Sequence, residues 1–370
     1  MKITPFALER YFARHEFSAR YLLSSSDCEA LTQAEVLARA DTETRDLWDR
    51  LRLGYTESPG LPLLRREIAG LYEGVDADEV LEAVPEEGIL LAMNVLLEPG
   101  DHVVATFPGY QSLYQLAADR GCEVSFWRPE ERAEGWRFAL EGLRAALRPS
   151  TRLVVVNFPH NPTGALPTGE EFAAVVDLVA ESGARLFSDE MYRFLELSAQ
   201  HRLPSAVELS ASAVALCGLS KSFAAPGLRL GWLVTHDAEL RARLAVAKDY
   251  TTICGGAPSE VLGVMVLRDR EHVLARNLEL VRTNLAAFEG FTRRHPDLVT
   301  PAPPLGGSIC FPRLAAPEGT ARFCTRLVDE TGVMVLPGTV FDYDDAHVRI
   351  GLGRAPFREG LAVLEEWLAR

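Results

Sequence analysis

The sequence of 370 residues lacks any long uninterrupted hydrophobic run, and its first residues show no signal-peptide pattern. A membrane-spanning helix needs about 18 or more consecutive apolar residues, so no membrane span is expected. Net positive charge is also missing, because 52 acidic residues against 38 basic residues give a net charge of −14. A surface of that sign disfavours binding to nucleic acid and to anionic membranes.

Closely spaced cysteines are absent, since the six cysteines are far apart and include no C-x-x-C pair. This spacing predicts reduced thiols in a cytoplasmic protein and no metal site. The chain also lacks a G-x-G-x-x-G motif after a strand pattern and lacks a P-loop. A dinucleotide-dependent dehydrogenase is therefore disfavoured.

Short apolar segments alternate with helical patterns through the middle of the chain. The strand patterns are 102–107, 123–126, 152–156, 184–187, 213–217 and 230–235, and the helical patterns between them include 88–97, 111–120, 170–181 and 237–249. This alternation predicts an α/β fold with a mostly parallel sheet between helices. Ligands bind such sheets at the carboxyl ends of the strands, where Tyr110, Asn161, Asp189 and Lys221 fall.

The last third of the chain has a different pattern. A long helical pattern at 271–292 precedes short strand patterns at 309–312, 333–336 and 347–350 and a closing helix at 358–368. This order predicts a smaller α+β domain. We expect residues 45–265 to form the large domain, and residues 1–44 with 266–370 to form the small one.

Lys221 lies in the segment Gly-Leu-Ser-Lys-Ser-Phe-Ala-Ala-Pro-Gly-Leu-Arg-Leu-Gly-Trp at 218–232, directly after a strand pattern. Small residues flank this lysine, and Arg229 follows eight positions later. An amine that is both anchored and reachable is what a Schiff-base lysine requires. A nearby arginine can bind a phosphate group bidentately.

Two other polar motifs follow strand patterns. Asn161, in Asn-Phe-Pro-His-Asn-Pro-Thr-Gly at 157–164, either only closes a turn or donates its amide to a cofactor oxygen. Asp189, in Ser-Asp-Glu-Met-Tyr at 188–192, either caps a turn or meets a protonated pyridine nitrogen. A carboxylate beside that nitrogen keeps the ring cationic and makes it a better electron sink. Tyr192 is placed to hydrogen-bond the phenolic oxygen of the ring.

The sequence Val-Pro-Glu-Glu-Gly-Ile at 84–89 opens a helical pattern. Backbone N–H groups at a helix start bind phosphate, but two acidic residues also favour a helix N-terminus by themselves. Only backbone roles are therefore expected of Glu86 and Glu87.

Taken in order, these motifs resemble those of fold-type I, class I/II aminotransferases over residues 54–354 or so. The resemblance implies a cofactor, pyridoxal 5′-phosphate, and transfer of an amino group between an amino acid and a 2-oxo acid. It also implies that Lys221 forms the Schiff base with the cofactor. The other implied cofactor contacts are Asp189 at the pyridine nitrogen, Asn161 and Tyr192 at the phenolic oxygen, Arg229 and Ser220 at the phosphate, and Tyr110 against the ring.

The resemblance also implies a substrate clamp and a shared site. Arg349, in His-Val-Arg-Ile at 347–350, matches the arginine that binds the substrate α-carboxylate, with Asn161 beside it. Tyr55, in Gly-Tyr-Thr-Glu-Ser-Pro-Gly at 54–60, resembles the tyrosine that reaches the phosphate in the partner subunit. A homodimer with shared active sites is therefore expected.

Two positions depart from the pattern of the family. Gly218 stands where many members have a serine three residues before the lysine. Val84 and Pro85 stand where many members have glycine and another small residue. We therefore expect one phosphate contact to be missing or replaced.

The substrate side chain is less constrained by the sequence. The segment Tyr-Thr-Thr-Ile-Cys-Gly-Gly-Ala-Pro at 250–258 has no arginine, which disfavours aspartate and glutamate as donors. In the segment 15–29, the acidic residues Glu16, Asp27 and Glu29 either favour a cationic substrate or belong to a polar loop.

Two other functions are possible for a chain with these motifs. The serine run at 24–26 is similar to the serine-rich N-terminal segment of capreomycidine synthase, an aminotransferase-like enzyme. A lyase or cyclase that uses pyridoxal 5′-phosphate for elimination is therefore the alternative. A non-catalytic sensing domain is disfavoured, because such domains follow a DNA-binding domain and this chain is acidic.

Overall fold

The computed structural model describes residues 3–370. Its helices are α1 (Ala7–His15), α2 (Gln33–Ala38), α3 (Thr42–Asp49), α4 (Pro62–Ala69), α5 (Pro85–Leu96), α6 (Ser112–Asp119), α7 (Leu140–Ala146), α8 (Gly169–Glu181), α9 (Ala206–Leu209), α10 (Ala238–Lys248), α11 (Ala257–Arg268), α12 (Arg270–Arg294), α13 (Thr320–Thr331) and α14 (Phe357–Leu368). Short 3₁₀ helices lie at Ala77–Glu79, Ala199–His201, Pro226–Leu228 and Gly338–Phe341.

The strands are mostly short outside one large sheet. They are β1 (Tyr21–Leu22), β2 (Val80–Ala83), β3 (His102–Thr106), β4 (Glu123–Trp127), β5 (Glu130–Arg132), β6 (Gly135–Arg137), β7 (Thr151–Asn157), β8 (Arg185–Asp189), β9 (Val214–Gly218), β10 (Gly231–Val234), β11 (Val299–Thr300), β12 (Ile309–Cys310), β13 (Arg313–Leu314), β14 (Val333–Met334), β15 (Leu336–Pro337) and β16 (Val348–Gly351).

Seven strands form the large sheet, in the order β2-β10-β9-β8-β7-β3-β4. Five strands that are adjacent in this order, β9, β8, β7, β3 and β4, all run parallel. Strand β10 is antiparallel to both of its neighbours, β2 and β9. Strands β3 and β9 are buried along their whole length, as expected where helices cover both faces of a sheet. The predicted α/β fold with a mostly parallel sheet is confirmed.

The strand patterns agree with the observed strands to within one or two residues, but β2 has no counterpart among them. Its four residues include Glu82, which is only 3% exposed. A short strand with a buried charge has no apolar period to reveal it. Its burial becomes possible because Lys248, on α10, supplies the opposite charge.

Helix α5 begins beside the carboxyl end of β9, where the segment of Lys221 starts. Pro85 occupies the first helical position, which suits proline because no helical hydrogen bond is lost there. A Cβ added at Gly88 would lie 2.9 Å from Leu216 Cδ1 on β9, so glycine allows this close approach. The helix N-terminus is thereby held next to the lysine-bearing turn.

A second group of elements packs beside the large sheet. Strands β12, β16 and β15 form a three-stranded antiparallel sheet, and β1 pairs in parallel with β14. The pairing of β1 with β14 supports a small domain built from both ends of the chain. Helices α2 and α3 contact α11 instead. The division into domains 45–265 and 1–44 with 266–370 stays a prediction.

Helix α1 bridges the two groups of elements. At its start the Ala7 N–H donates to Gln111 Oε1 at 2.9 Å, next to α6. On the next turn the Tyr11 hydroxyl donates to the Val335 carbonyl at 3.3 Å, between β14 and β15. This position carries the side chains of α1 over the carboxyl ends of the sheet.

Within residues 3–370 there is no helix that combines the length and the apolar character needed to cross a membrane.

A buried ion pair joins β2 to the end of α10. Lys248 Nζ lies 2.8 Å from Glu82 Oε2 and donates to the Ser58 carbonyl at 2.7 Å. Lys248 is fully buried, and burial raises the pKa of Glu82. Removing one partner of a buried pair leaves the other charge without compensation, which destabilises a fold strongly.

We expect Lys248→Met to lower the free energy of unfolding by about 3–5 kcal/mol, because Glu82 would remain buried without its cation. The double variant Lys248→Met with Glu82→Gln removes both charges and should recover part of that loss. Denaturant-induced unfolding of both variants measures the effect. A double variant no more stable than the single one would contradict this explanation.

Candidate active site

A cavity of about 810 Å³ opens at the carboxyl ends of β7, β8 and β9 beneath α1. Its volume lies in the range of sites that hold small ligands and cofactors. Nine predicted site residues line it: Glu86, Tyr110, Asn161, Asp189, Tyr192, Ser220, Lys221, Arg229 and Arg349. Segments far apart in the chain thus meet where a parallel sheet is expected to bind ligands.

Asp189 ends β8 and is only 4% exposed. Its Oδ1 accepts the Met191 N–H at 3.0 Å, and Asn157 Nδ2 donates to its carbonyl at 3.0 Å. Burial raises the pKa of this carboxyl to about 7. Among residues 3–370 no cation forms an ion pair with it. A buried carboxylate of this kind is suited to a cationic group on a ligand.

Lys221 lies in the turn after β9 and projects its amine into the cavity. Its Nζ donates to Ser26 Oγ at 2.9 Å, which ties the lysine to the loop after β1. Arg229, further along the same turn, has a left-handed backbone with φ of 52°. That conformation is uncommon for residues other than glycine and occurs often at functional sites.

Arg349, on β16, is 1% exposed and has no carboxylate partner among residues 3–370. Its Nη1 donates to Asn161 Oδ1 at 3.0 Å, and its Nη2 donates to the Ser24 carbonyl at 2.8 Å. The Nε donor makes no hydrogen bond within the described residues. Burial lowers the pKa of this guanidinium. An incoming carboxylate would compensate both the charge and the open donor.

Two tyrosines of the cavity differ in their partners. The Tyr192 residue is 3% exposed, and its hydroxyl makes no hydrogen bond within the part of the chain that the structure describes. The Tyr110 hydroxyl donates to Glu9 Oε1 at 3.2 Å, and its ring packs on Phe6 with a centroid distance of 4.9 Å. Tyr192 is therefore open to a ligand oxygen, whereas Tyr110 already has its polar partner.

Two predicted site residues lie outside the cavity. The Glu87 carboxylate accepts hydrogen bonds from Thr251 and from Thr252 Oγ1, the latter at 2.8 Å. Tyr55 is 94% exposed, on a loop away from the cavity lining. The backbone role of Glu87 and the reach of Tyr55 into a partner subunit stay predictions. Glu86 does line the cavity, and its Oε2 accepts the Ser112 hydroxyl at 3.2 Å.

Three residues of the cavity were missed by sequence reasoning. Asn157 ends β7, and its Oδ1 accepts the Asn161 N–H at 2.8 Å. The position of Asn157, a polar residue directly after an apolar strand pattern, could have indicated its place in the site. Ser26 belongs to the serine run at 24–26, but the sequence does not indicate a role for this serine. Glu9 had no local signal, because only tertiary packing brings α1 over the sheet.

The two departures from the family pattern touch each other. A Cβ added at Gly218 would lie 3.1 Å from Pro85 Cγ and 3.0 Å from Gly231 Cα. Both contacts are tighter than ordinary van der Waals spacing, and one of them is to backbone. A serine at position 218 would therefore press on the ring of Pro85, which gives a physical reason for the glycine.

These groups fit pyridoxal 5′-phosphate. The buried Asp189 carboxylate without a cation matches a protonated pyridine nitrogen, and the open Tyr192 hydroxyl matches a phenolic oxygen. Arg229 matches a phosphate group, and Lys221 offers the amine. The fold and the cavity together define a fold-type I enzyme that uses this cofactor.

Comparisons with known proteins agree with this class. The sequence model of the family described as "Aminotransferase class I and II" matches residues 21–356. Capreomycidine synthase of Streptomyces vinaceus is 33% identical, and the alignment covers 98% of this chain and 93% of that protein.

Solved structures give the same result. A PLP-dependent aminotransferase from Streptococcus suis 89-1591 has a TM-score of 0.93 at 32% identity, with 100% of this chain and 99% of that chain covered. The PLP-dependent cyclase OrfR has a TM-score of 0.90 at 30% identity, with 100% and 98% covered. The chain belongs to the class I and II aminotransferase family, and its cofactor is pyridoxal 5′-phosphate.

In the protein stripped of its cofactor, Asp189 should make stability depend on pH. Its folded pKa of about 7 lies above the ordinary value of about 4 for aspartate. The protonated carboxyl therefore stabilises the fold fully below about pH 4, and this contribution is lost as the pH rises through about 7.

Asp189→Asn removes the charge that must be buried, so the cofactor-free variant should exceed the parent in stability by roughly 2–4 kcal/mol at pH 8. The difference should shrink towards pH 4. Denaturant midpoints measured across this range test it, with the exposed Asp297→Asn as the matched control. A difference that does not change with pH would rule out titration of Asp189 as the cause.

Proposed function

We propose that the chain moves an amino group between an amino acid and a 2-oxo acid, with Lys221 as its catalytic residue. One observation carries this proposal: the Lys221 amine, the Asp189 carboxylate and the Arg349 guanidinium open into one cavity. An amine, a buried acid and a buried cation are the groups that amino acid chemistry with this cofactor requires.

Pyridoxal 5′-phosphate, when bound, holds amino groups covalently and withdraws electrons from the substrate α-carbon. Arg349 binds the α-carboxylate and so fixes the orientation of the α-C–H bond. Lys221 Nζ takes the proton from the α-carbon as general base. The hydroxyl of Ser26 holds that amine in the cavity at 2.9 Å.

The remaining residues hold the cofactor in this proposal. Asp189 faces the pyridine nitrogen, and its raised pKa reflects burial that a ring cation would offset. Further cofactor contacts are proposed for Asn161 and Tyr192 at the phenolic oxygen, Tyr110 at the ring, Ser220 and Arg229 at the phosphate, the start of α5 at Glu86 and Glu87 through its backbone, and Tyr55 of a second subunit.

Among residues 3–370, the arginines of the cavity are Arg229, Arg349 and Arg354, and the first two are proposed to bind the phosphate and the α-carboxylate. The third, Arg354, is paired, because its Nη2 lies 2.8 Å from Asp27 Oδ2. The arginine-free loop at 250–258 contributes nothing to the lining of this cavity. Aspartate and glutamate are therefore disfavoured as donors.

A lyase or cyclase remains the second candidate. Capreomycidine synthase covers nearly the whole chain at 33% identity, and a cyclase is among the similar structures. Removal of the α-proton by Lys221 and binding of the α-carboxylate by Arg349 serve both reactions equally. The two functions differ in whether the nitrogen leaves the substrate or a β- or γ-substituent does.

We also propose a cytoplasmic homodimer with shared active sites. Tyr55 and Leu53 are 94% and 86% exposed, and on the neighbouring loop Tyr250 is 89% exposed. The Thr56 hydroxyl donates to the Gly255 carbonyl at 3.2 Å and joins the two loops. Exposed apolar groups of this extent are typical of protein interfaces. All six cysteines are unpaired, which fits a reducing compartment.

Product analysis of a single half-reaction tests the proposed function. Incubation of the enzyme with an amino acid should yield one 2-oxo acid and one aminated cofactor per site, seen as loss of the visible absorption band. Lys221→Ala should abolish turnover, because no other amine lines the cavity within residues 3–370. Unchanged cofactor with loss of a substituent would instead identify the lyase. Near-parental transamination by Lys221→Ala would sink the assignment.

The shared site is tested at Tyr55. Tyr55→Phe should weaken cofactor binding by roughly tenfold, because it removes one hydrogen bond to a charged phosphate, worth about 1.5 kcal/mol. The dimer itself should persist in sedimentation. Titration of the visible absorption gives the affinity, and Tyr250→Phe is the control on the adjacent loop. An active monomer, or unchanged cofactor affinity, would speak against the shared site.

A further inference from the structure

Three carboxylates lie on the wall of the cavity that α1 and the loop after β1 form. Glu9 belongs to α1, Glu16 caps its C-terminal end, and Asp27 follows β1. We call these three residues the acidic wall. The same cavity contains Lys221 and Arg349, so the wall faces the site where an amino acid is proposed to bind.

The charges of the acidic wall are only partly compensated. Asp27 is paired with Arg354 at 2.8 Å. Glu9 accepts a hydrogen bond from the neutral hydroxyl of Tyr110 at 3.2 Å. The Glu16 backbone N–H donates to the Phe12 carbonyl at 2.8 Å, but its carboxylate makes no hydrogen bond and no ion pair within residues 3–370. Two carboxylates therefore face the cavity without a cation in contact.

Within residues 3–370 no cation of the cavity forms an ion pair with Glu9 or Glu16, although the charges of Arg354 and Lys221 act to lower the pKa of Glu16. Arg349 binds Asn161 and the Ser24 carbonyl, and its open Nε donor suits the α-carboxylate. Burial raises the pKa of Glu16, and the nearby charges of Asp27 and Glu9 raise it further. A cation bound between Glu9 and Glu16 would relieve both the burial penalty and the repulsion.

A separate observation at this wall also points to a ligand. Ser25, two residues before Asp27, is 2% exposed and lines the cavity. Its hydroxyl has no hydrogen-bond partner within the described residues. A buried hydroxyl without a partner is costly unless a bound group satisfies it. An N–H group of a substrate would do so as donor.

We propose that the acidic wall binds a cationic group at the end of the substrate side chain, with guanidinium preferred over ammonium. This inference rests on the proposed function, because Arg349 must hold the α-carboxylate in the same cavity. A guanidinium offers five N–H donors in a plane, which suits two carboxylates and a hydroxyl better than the three donors of an ammonium.

The test uses ligands that carry no α-amino group, of which only 6-aminohexanoate has a primary amine that can condense with the cofactor, so the visible absorption band is followed during its titration. 5-Guanidinopentanoate, 6-aminohexanoate and hexanoate share a carboxylate for Arg349 and differ in the distal group. Calorimetric titration into the holoenzyme should show the guanidino acid binding at least about tenfold more tightly than hexanoate, as a charge-assisted hydrogen bond allows. The affinity for 6-aminohexanoate should lie between the affinities for the other two ligands.

Variants of the wall assign the preference to its residues. Glu16→Gln and Glu9→Gln should each weaken binding of 5-guanidinopentanoate by roughly tenfold and leave hexanoate unchanged. Glu73→Gln, at an exposed site far from the cavity, makes the same change in net charge and should affect neither ligand. Thermal unfolding of each variant establishes that it is folded.

Equal affinity for the guanidino acid and hexanoate would overturn the inference, and so would equal losses for both ligands in Glu16→Gln. These outcomes are separate from failure of the proposed function. Selective binding of the guanidino acid without any transfer of nitrogen would support the wall and reject the aminotransferase. Transamination without any preference for cationic side chains would support the aminotransferase and reject the role of the acidic wall.

Discussion

The site depends on two opposite charges that the fold buries and does not neutralise. The guanidinium of Arg349 and the carboxylate of Asp189 lie in one cavity, and neither has an ion-pair partner among residues 3–370. Burial of a lone charge is unfavourable, so each group is set to gain free energy when a ligand supplies the opposite charge. The unpaired charges of these two residues thus favour ligands that carry the opposite charges. In the proposed function, a substrate carboxylate would compensate Arg349 and the cofactor ring cation would compensate Asp189.

The large sheet holds these charges in place, and α1 closes the space between them. Asn157 and Asp189 are paired residues at the ends of adjacent parallel strands, so the backbone register sets their separation. Ser26 and Lys221 are joined across nearly two hundred residues of chain by one hydrogen bond of 2.9 Å. The loop after β1 therefore helps to position the Lys221 amine in the cavity. Its position follows from the pairing of β1 with β14 in the smaller group of elements.

The parts of the site that follow strands could be predicted from sequence, because each carries its own local pattern. Asp189 and Lys221 come after apolar runs, and an α/β chain brings such ends to one edge. The contribution of Glu9 could not be predicted, since its helix is amphipathic like many others and only tertiary packing selects its neighbours. Strand β2 was missed for a related reason. Its buried Glu82 depends on Lys248, a partner more than 160 residues away in the chain.

The contact between Gly218 and Pro85 also has an evolutionary consequence. The two positions are more than a hundred residues apart, yet a side chain at one meets the ring at the other. A side chain at position 218 would also lie 3.0 Å from Gly231 Cα, so it is accommodated only if both the proline ring and the neighbouring strand β10 shift. Substitution at position 218 is thereby constrained, and a glycine that looks like the loss of a phosphate ligand is one half of a coupled pair. Ancestral reconstruction or library design that varies only one of these positions would miss the viable combinations.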